Sequence, residues 1–238
     1  SRLPSKVLMK SDDGRPLLYY VINQLRYCTK VKNLVIATTT NQEDDEIEKF
    51  ANDNSVNIFR GKEKDVLDRY FQCAKKYSFS TIVRITADCP LIDPQIVDKV
   101  IEQFFSGNYD FATNTLIRTF PIGTDVEVFS FSALERTWKN AKLPSEREHV
   151  SPYMMKNSDI FRQFHLRNPI KIPPLRLTID KEEDLELCRN IISKISKHPI
   201  LLHDILELYG NEPKLFEINI HIDPLEGYNK SINEDGKL

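Results

Sequence analysis

Two aspartates stand where strands should end in this 238-residue chain. Asp88 closes an apolar, β-branched run, Ile82, Val83 and Ile85, in the stretch Ala87-Asp88-Cys89-Pro90. Pro90 has no N–H and restricts Cys89 to extended backbone, so the strand stops there. Open α/β sheets bind ligands at that end of a strand, although turn chemistry explains a lone aspartate equally well. The second stretch is residues 175–180, LRLTID. Successive strand side chains point to opposite faces, so Leu175, Leu177 and Ile179 share one face and Arg176, Thr178 and Asp180 the other. A solvated face accounts for this pattern; the functional reading puts Arg176 and Asp180 on a cleft wall. Asp180 then becomes a second strand-end carboxylate to set against Asp88. Two carboxylates without a neighbouring His or Cys pair suit a hard, oxygen-ligated cation such as Mg²⁺. The 5 histidines show no zinc-ligand spacing.

Other charged residues carry weaker signals. In residues 124–129, Asp125 and Glu127 share a face, and the preceding Gly123 permits close backbone approach. Arg147-Glu148-His149 is a compact charged cluster, as a surface ion-pair run would also be. Arg2 and Lys6 flank Pro4 in a basic opening loop, and both side-chain types bind phosphate. With 7 glycines the chain has neither GxGxxG nor a Walker A pattern, which argues against dinucleotide oxidoreductases and P-loop NTPases. No GxSxG elbow is present. A net charge of −2 gives no bulk attraction to nucleic acid or an anionic membrane. The scattered Cys28, Cys73, Cys89 and Cys188 read as reduced thiols of a cytosolic protein. No apolar run approaches the roughly 20 residues of a membrane span.

Alternating elements must position these groups. Helical periodicity covers residues 17–25, 43–52, 65–77 and 94–105. Strands are predicted at 33–38, 56–59 and 81–86. That rhythm argues a mostly parallel sheet covered on both faces. Beyond residue 109 the rhythm changes. Residues 110–115, 160–166 and 175–180 read as strands, and 125–130 as an edge or antiparallel one. Helices follow at 131–139, 145–156, 181–193 and 203–209, then a polar, loop-like tail. The whole chain reads as one domain, with residues 1–108 forming one half and 109–238 a mixed half plus tail.

Ser1-Arg2-Leu3-Pro4-Ser5-Lys6-Val7-Leu8 and Gly14-Arg15-Pro16-Leu17 resemble the opening signature of the sugar-acid cytidylyltransferases, the acylneuraminate and 3-deoxy-manno-octulosonate enzymes among them. The spore-coat polysaccharide branch is the closer match. That likeness rests on Gly61 with residues 65–70 (DVLDRY), on 84–94, on Phe120-Pro121 with Gly123 and 125–130, on 145–150 (SEREHV), on 178–185 (TIDKEEDL) and on 226–231 (EGYNKS). It covers nearly the whole chain. The resemblance implies an α/β three-layer sandwich of the nucleotide-diphospho-sugar transferase, Rossmann-like type. It also implies the reaction of CTP with a sugar acid to give a CMP-sugar and pyrophosphate. Arg2 and Lys6 would hold the triphosphate, Thr38 and Thr39 border the nucleotide, and Asp88 and Asp180 bind Mg²⁺. Asn114, Asp125, Glu127, Arg147 and His149, with Arg176 on the cleft wall, would face the sugar. By analogy a homodimer is expected.

Family members carry a strand and an Ala-Arg-containing loop before the SRLP motif. The chain given begins at that motif, so the expectation is a truncated copy with lowered stability and activity. Two other classes stay open. One is a glycosyltransferase on a similar fold, against which Ala87-Asp88-Cys89 counts because the usual Asp-x-Asp is absent. The other is a nucleotide-binding domain without turnover.

Overall fold

The computed structural model describes residues 3, 6–223 and 226–236. A 3₁₀ turn at Lys6–Leu8 leads into α1 (Leu17–Arg26), which Pro16 precedes. Parallel strands β1 (Val35–Thr39) and β2 (Asn57–Gly61) flank α2 (Asp45–Asp53) in sequence and pair in register Val35↔Asn57 to Thr39↔Gly61. α3 (Val66–Lys76) follows, capped by Asp65, which accepts the Asp68 N–H at 2.9 Å. β3 (Thr81–Arg84) then runs into the Asp88 turn and α4 (Pro94–Ser106). Asp93 caps α4 by accepting from Gln95 and Ile96, with Pro94 in the first turn where its missing N–H costs nothing.

The second sheet is mixed, in the order β3, β5 (Glu127–Ser130), β4 (Phe111–Thr113), β6 (Gln163–His165). β5 runs antiparallel to both β3 and β4, while β4 and β6 are parallel. The alternation in residues 125–130 correctly marked an antiparallel strand, but β5 is central rather than an edge. Its position has a packing cause. Val126 and Val128 join Ala112 against Ile96, Val97, Val100 and Phe104 of α4. On the opposite side Phe111 and Phe129 meet Leu67, Phe71, Ala133 and Leu134 of α3 and α5 (Phe131–Asn140). Helices therefore cover both faces of the sheet, giving the expected three-layer α/β sandwich, but the sheet is not the mostly parallel one expected: β1 and β2 pair apart from it, and central β5 runs antiparallel to both its neighbours. β3 comes from residues 1–108 yet pairs with β5 from the second half, so the halves share a sheet.

Three local expectations need correction. Residues 175–180 are not a strand: only Arg176 forms an isolated bridge, to Ile122. Leu175, Leu177 and Ile179 still turn inward, onto α8 (Glu182–Lys194) and α9 (Leu202–Asn211), because apolar burial follows side-chain alternation whether or not a ladder forms. The helix expected at 145–156 is two, α6 (Pro144–His149) and α7 (Pro152–Lys156), broken where Val150 has φ 72° and Pro152 removes a donor. The tail is not wholly loop. α10 (Glu226–Asp235) packs on α6, Asp235 accepting the Ser145 N–H at 2.8 Å and its hydroxyl at 2.6 Å. Among the described residues no helix is long and apolar enough to cross a membrane.

Candidate active site

Lys6, Asp88 and Asp180 converge, though 82 and 174 residues separate Lys6 from its two partners. Lys6 Nζ donates to Asp88 Oδ2 at 2.8 Å, to Asp180 Oδ1 at 2.7 Å and to the Ile179 carbonyl at 2.6 Å. The backbone explains how the carboxylates meet. The Ile179 N–H donates to the Asp88 carbonyl at 2.9 Å, and the Thr178 hydroxyl reaches the same oxygen at 3.2 Å. Residues 177–180 are in turn held alongside residues 122–123, since Leu177 N–H donates to the Ile122 carbonyl at 2.7 Å. Gly123, at φ +95°, makes this approach possible: a Cβ there would lie 2.5 Å from the Leu177 carbonyl carbon and the Thr178 nitrogen.

Asp88 and Lys6 stay charged at neutral pH. Burial opposes charge on Asp88, but the Lys6 ammonium and the Thr86 hydroxyl outweigh it and hold the carboxyl below the ordinary range. Burial likewise opposes charge on Lys6, and Asp88 and Asp180 overcome it, raising the ammonium pKa. Arg176 Nη2 donates to Asp180 Oδ2 at 2.9 Å, while its fork engages Asp184 at 2.9 and 3.1 Å. Three carboxylates and two cations leave one net negative charge. Its donors (Asp88, Asp180 and the Ile179 carbonyl) are all oxygen, and Lys6 Nζ occupies them, so a metal ion held there would take the place of the ammonium. That donor set fits a hard divalent cation.

Thr38 and Thr39 form a second centre at the end of β1. Both hydroxyls donate to Asp44 Oδ2, at 2.6 and 2.5 Å, and the Thr39 N–H adds 2.9 Å. A notch of about 220 Å³ lies between this loop and the Lys6 turn, lined by Leu3, Lys6, Glu43, Asp44 and Ile47. Burial raises the Asp44 pKa, but the two hydroxyls, the amide and Arg60 outweigh it and the net shift is downward. A carboxyl depressed in the folded state contributes stability above its unfolded pKa of about 3.9 and loses it as pH falls through the folded value. We therefore expect an Asp44→Asn variant to lose urea resistance near neutrality and to show a shallower acid limb below about pH 4. Urea midpoints measured from neutrality down into that acid range check this.

The remaining sequence candidates do not join one cluster. Asn114 is fully buried, with Nδ2 on the Thr124 carbonyl at 2.8 Å and Oδ1 accepting the Val126 N–H at 2.9 Å; it staples the backbone. Asp125 pairs with Arg118 through two hydrogen bonds. Glu127 accepts from Arg84 at 2.9 Å and from the Ser151 hydroxyl at 2.6 Å. Arg147 grips Asp65 with both fork nitrogens, at 3.0 and 2.6 Å, and donates to the Trp138 carbonyl. It thereby ties α6 to the α3 cap. Arg147→Met is expected to lower stability by about 1–3 kcal/mol, the usual worth of charge-assisted bonds, which denaturant unfolding measures. His149 meets Ser231 at 3.1 Å and the Tyr228 ring on α10. Arg2 lies outside the described residues. Sequence reading missed Asp44, Arg84, Asp184 and Asn219. An arginine within an otherwise apolar strand was the available signal for Arg84, and an acid in the first turn after Lys181 was that for Asp184.

Helices on both faces of a mixed sheet, with paired carboxylates beyond β3, give the α/β class of fold that Rossmann-like nucleotidyltransferases share. The family model "Cytidylyltransferase" matches residues 1–220. The chain belongs to the cytidylyltransferase family, which are nucleotidyltransferases. A cytidylyltransferase structure from Leptospira borgpetersenii is similar at TM-score 0.88 and 36% identity, over 94% of both chains. The spore coat polysaccharide biosynthesis protein SpsF of Bacillus subtilis is 31% identical over 90% of each chain. An uncharacterized protein of Methanocaldococcus jannaschii is 38% identical over 93% of this chain and 90% of that one. The fold is also that of a CMP:2-keto-3-deoxy-manno-octonic acid synthetase complexed with CTP, at TM-score 0.61 and 15% identity, over 82% of this chain and 94% of that one.

Proposed function

We propose that this chain transfers a cytidylyl group from CTP to a sugar acid, with Mg²⁺ held on Asp88 and Asp180, in surface polysaccharide biosynthesis. The observation that carries the reading is the convergence of Lys6, Asp88 and Asp180 beside the notch bounded by Asp44. A sugar hydroxyl attacks the α-phosphorus and releases its proton to solvent, the bond to the β-phosphate breaks, and pyrophosphate leaves with its electron pair. Such transfers need alignment and charge neutralisation more than covalent help. The Lys6 ammonium, whose three donors go to Asp88, Asp180 and the Ile179 carbonyl, would offset charge developing on pyrophosphate once a bound cation takes over those oxygens. Asp88 keeps its charge at neutral pH beside that ammonium, and Arg176 holds the aim of Asp180. Bound Mg²⁺ would polarise the α-phosphate and lower the barrier to attack by the hydroxyl.

The test supplies each of the four nucleoside triphosphates with Mg²⁺ and a panel of sugar acids, then reads pyrophosphate release and product mass. Release from CTP with formation of a CMP-sugar is expected, and EDTA should abolish it. Release of a nucleoside diphosphate from a nucleotide sugar, or no acid-dependent turnover, would overturn the reading.

A further inference from the structure

Asp184 holds Asp180 from two directions. Its Oδ2 accepts the Asp180 N–H at 2.9 Å and the Lys181 N–H at 3.0 Å. Its two oxygens also take Arg176 Nε and Nη2, and Arg176 Nη2 continues to Asp180 Oδ2 at 2.9 Å. Backbone and side chain of Asp180 are thus both referred to one carboxylate, whose side chain is 0% exposed. Capping α8 requires only the Lys181 amide. The other bonds made by Asp184 serve Arg176 and Asp180.

Asn219 completes the arrangement. It is 2% exposed, and its Nδ2 donates to Asp184 Oδ1 at 2.8 Å and to the Arg176 carbonyl at 3.1 Å. One amide therefore fixes Asp184 and the backbone of the arginine that Asp184 grips. A planar fork suits this task, because Nε and Nη2 hold Asp184 while Nη2 still has a proton for Asp180. Lysine would keep the charge and lose the geometry. Asn219 and Arg176 also border a mostly apolar cavity of about 200 Å³, lined further by Phe120, Ile122, Leu187 and Phe216. Truncating Asn219 enlarges that space rather than leaving a side chain without room.

We infer that Asn219 and Asp184 are positioning residues, which act through Arg176 to fix the Asp180 carboxylate in the orientation that faces Lys6 and Asp88. This rests on the cytidylyl-transfer reading for its kinetic readout only. Asn219→Ala and Arg176→Lys are each made in the parent chain and in an Asp180→Asn background. In the parent, kcat should fall at least tenfold with the CTP KM changed less than twofold. In the Asp180→Asn background the same substitutions should change kcat less than twofold, while any loss of Tm persists in both. Equal kcat losses in the two backgrounds, or no loss in the parent, would overturn the inference. Crystal structures of Asn219→Ala and Arg176→Lys give a readout independent of any reaction. The Asp180–Lys6 contact should open beyond hydrogen-bonding distance in at least one, and its retention in both would also refute the positioning role. If the parent shows no turnover with CTP, the functional reading fails and the crystallographic arm still decides this one.

Discussion

An Asp88→Asn variant is expected to fold as the parent does and to release pyrophosphate from CTP about 10³-fold more slowly. The magnitude is that of removing one preorganised electrostatic group from a phosphoryl-type transition state, about 3–4 kcal/mol. The fold should survive because asparagine keeps the shape, and Lys6 retains Asp180 at 2.7 Å and the Ile179 carbonyl at 2.6 Å. The Asp88 carbonyl, which receives the Ile179 N–H, is backbone and is untouched. Initial rates and thermal unfolding on the same preparation test this. Undiminished kcat would remove Asp88 from the mechanism. A fall in Tm that accounts for the lost activity would make the residue structural instead.

Gly123→Ala should be strongly damaging for a single-methyl change. Two costs combine. At φ +95° an L side chain is strained, worth about 1–3 kcal/mol. The new methyl would also lie 2.5 Å from backbone atoms of Leu177 and Thr178, which cannot swing aside as a side-chain tip can. Relief requires residues 177–180 to move away from residues 122–123, breaking the paired bonds of Ile122 with Leu175 and Leu177. Asp180 would be carried with them, away from Lys6. We expect a stability loss on the order of 3 kcal/mol or more together with nearly complete loss of turnover. Urea unfolding and pyrophosphate release check the two parts. An alanine variant with unchanged midpoint and kcat would show that the close approach has no bearing on the site. Gly14 makes a useful control: its φ is +81° but no atom lies within 4 Å of a Cβ built there, so Gly14→Ala should show the strain alone.

These two residues illustrate different kinds of legibility. Asp88 stood out because an apolar β-branched run, a proline and a carboxylate are local signals, although β3 ends at Arg84, short of the Cys89-Pro90 stop expected from local sterics, and Asp88 lies in the turn beyond it. Gly123 was noted for its freedom of approach, but what it approaches, the backbone at Leu177, lies far along the chain. Asp180 was found through an alternation read as strand. The inward and outward faces were right and the ladder was not, because burial sets the alternation while strand pairing needs a neighbour in register. Residues 175–180 instead lie against two different segments, residues 122–123 and Asp88.

The sequence by itself determined the helices with capping residues and apolar faces, the layered α/β class, and the residue types of the centre. The family likeness added the chemistry those types would serve. Tertiary structure alone decided which charges are available. Arg147 and Asn114 were expected to face the sugar, yet Asp65 and the backbone at Thr124 and Val126 engage them. Asp44, Asp184 and Asn219 looked unremarkable, yet one gathers Thr38 and Thr39 and the others grip Arg176. The physical reason is common to all of them. A polar side chain leaving water must find a partner, and which partner is within 3 Å depends on contacts between residues far apart in the chain.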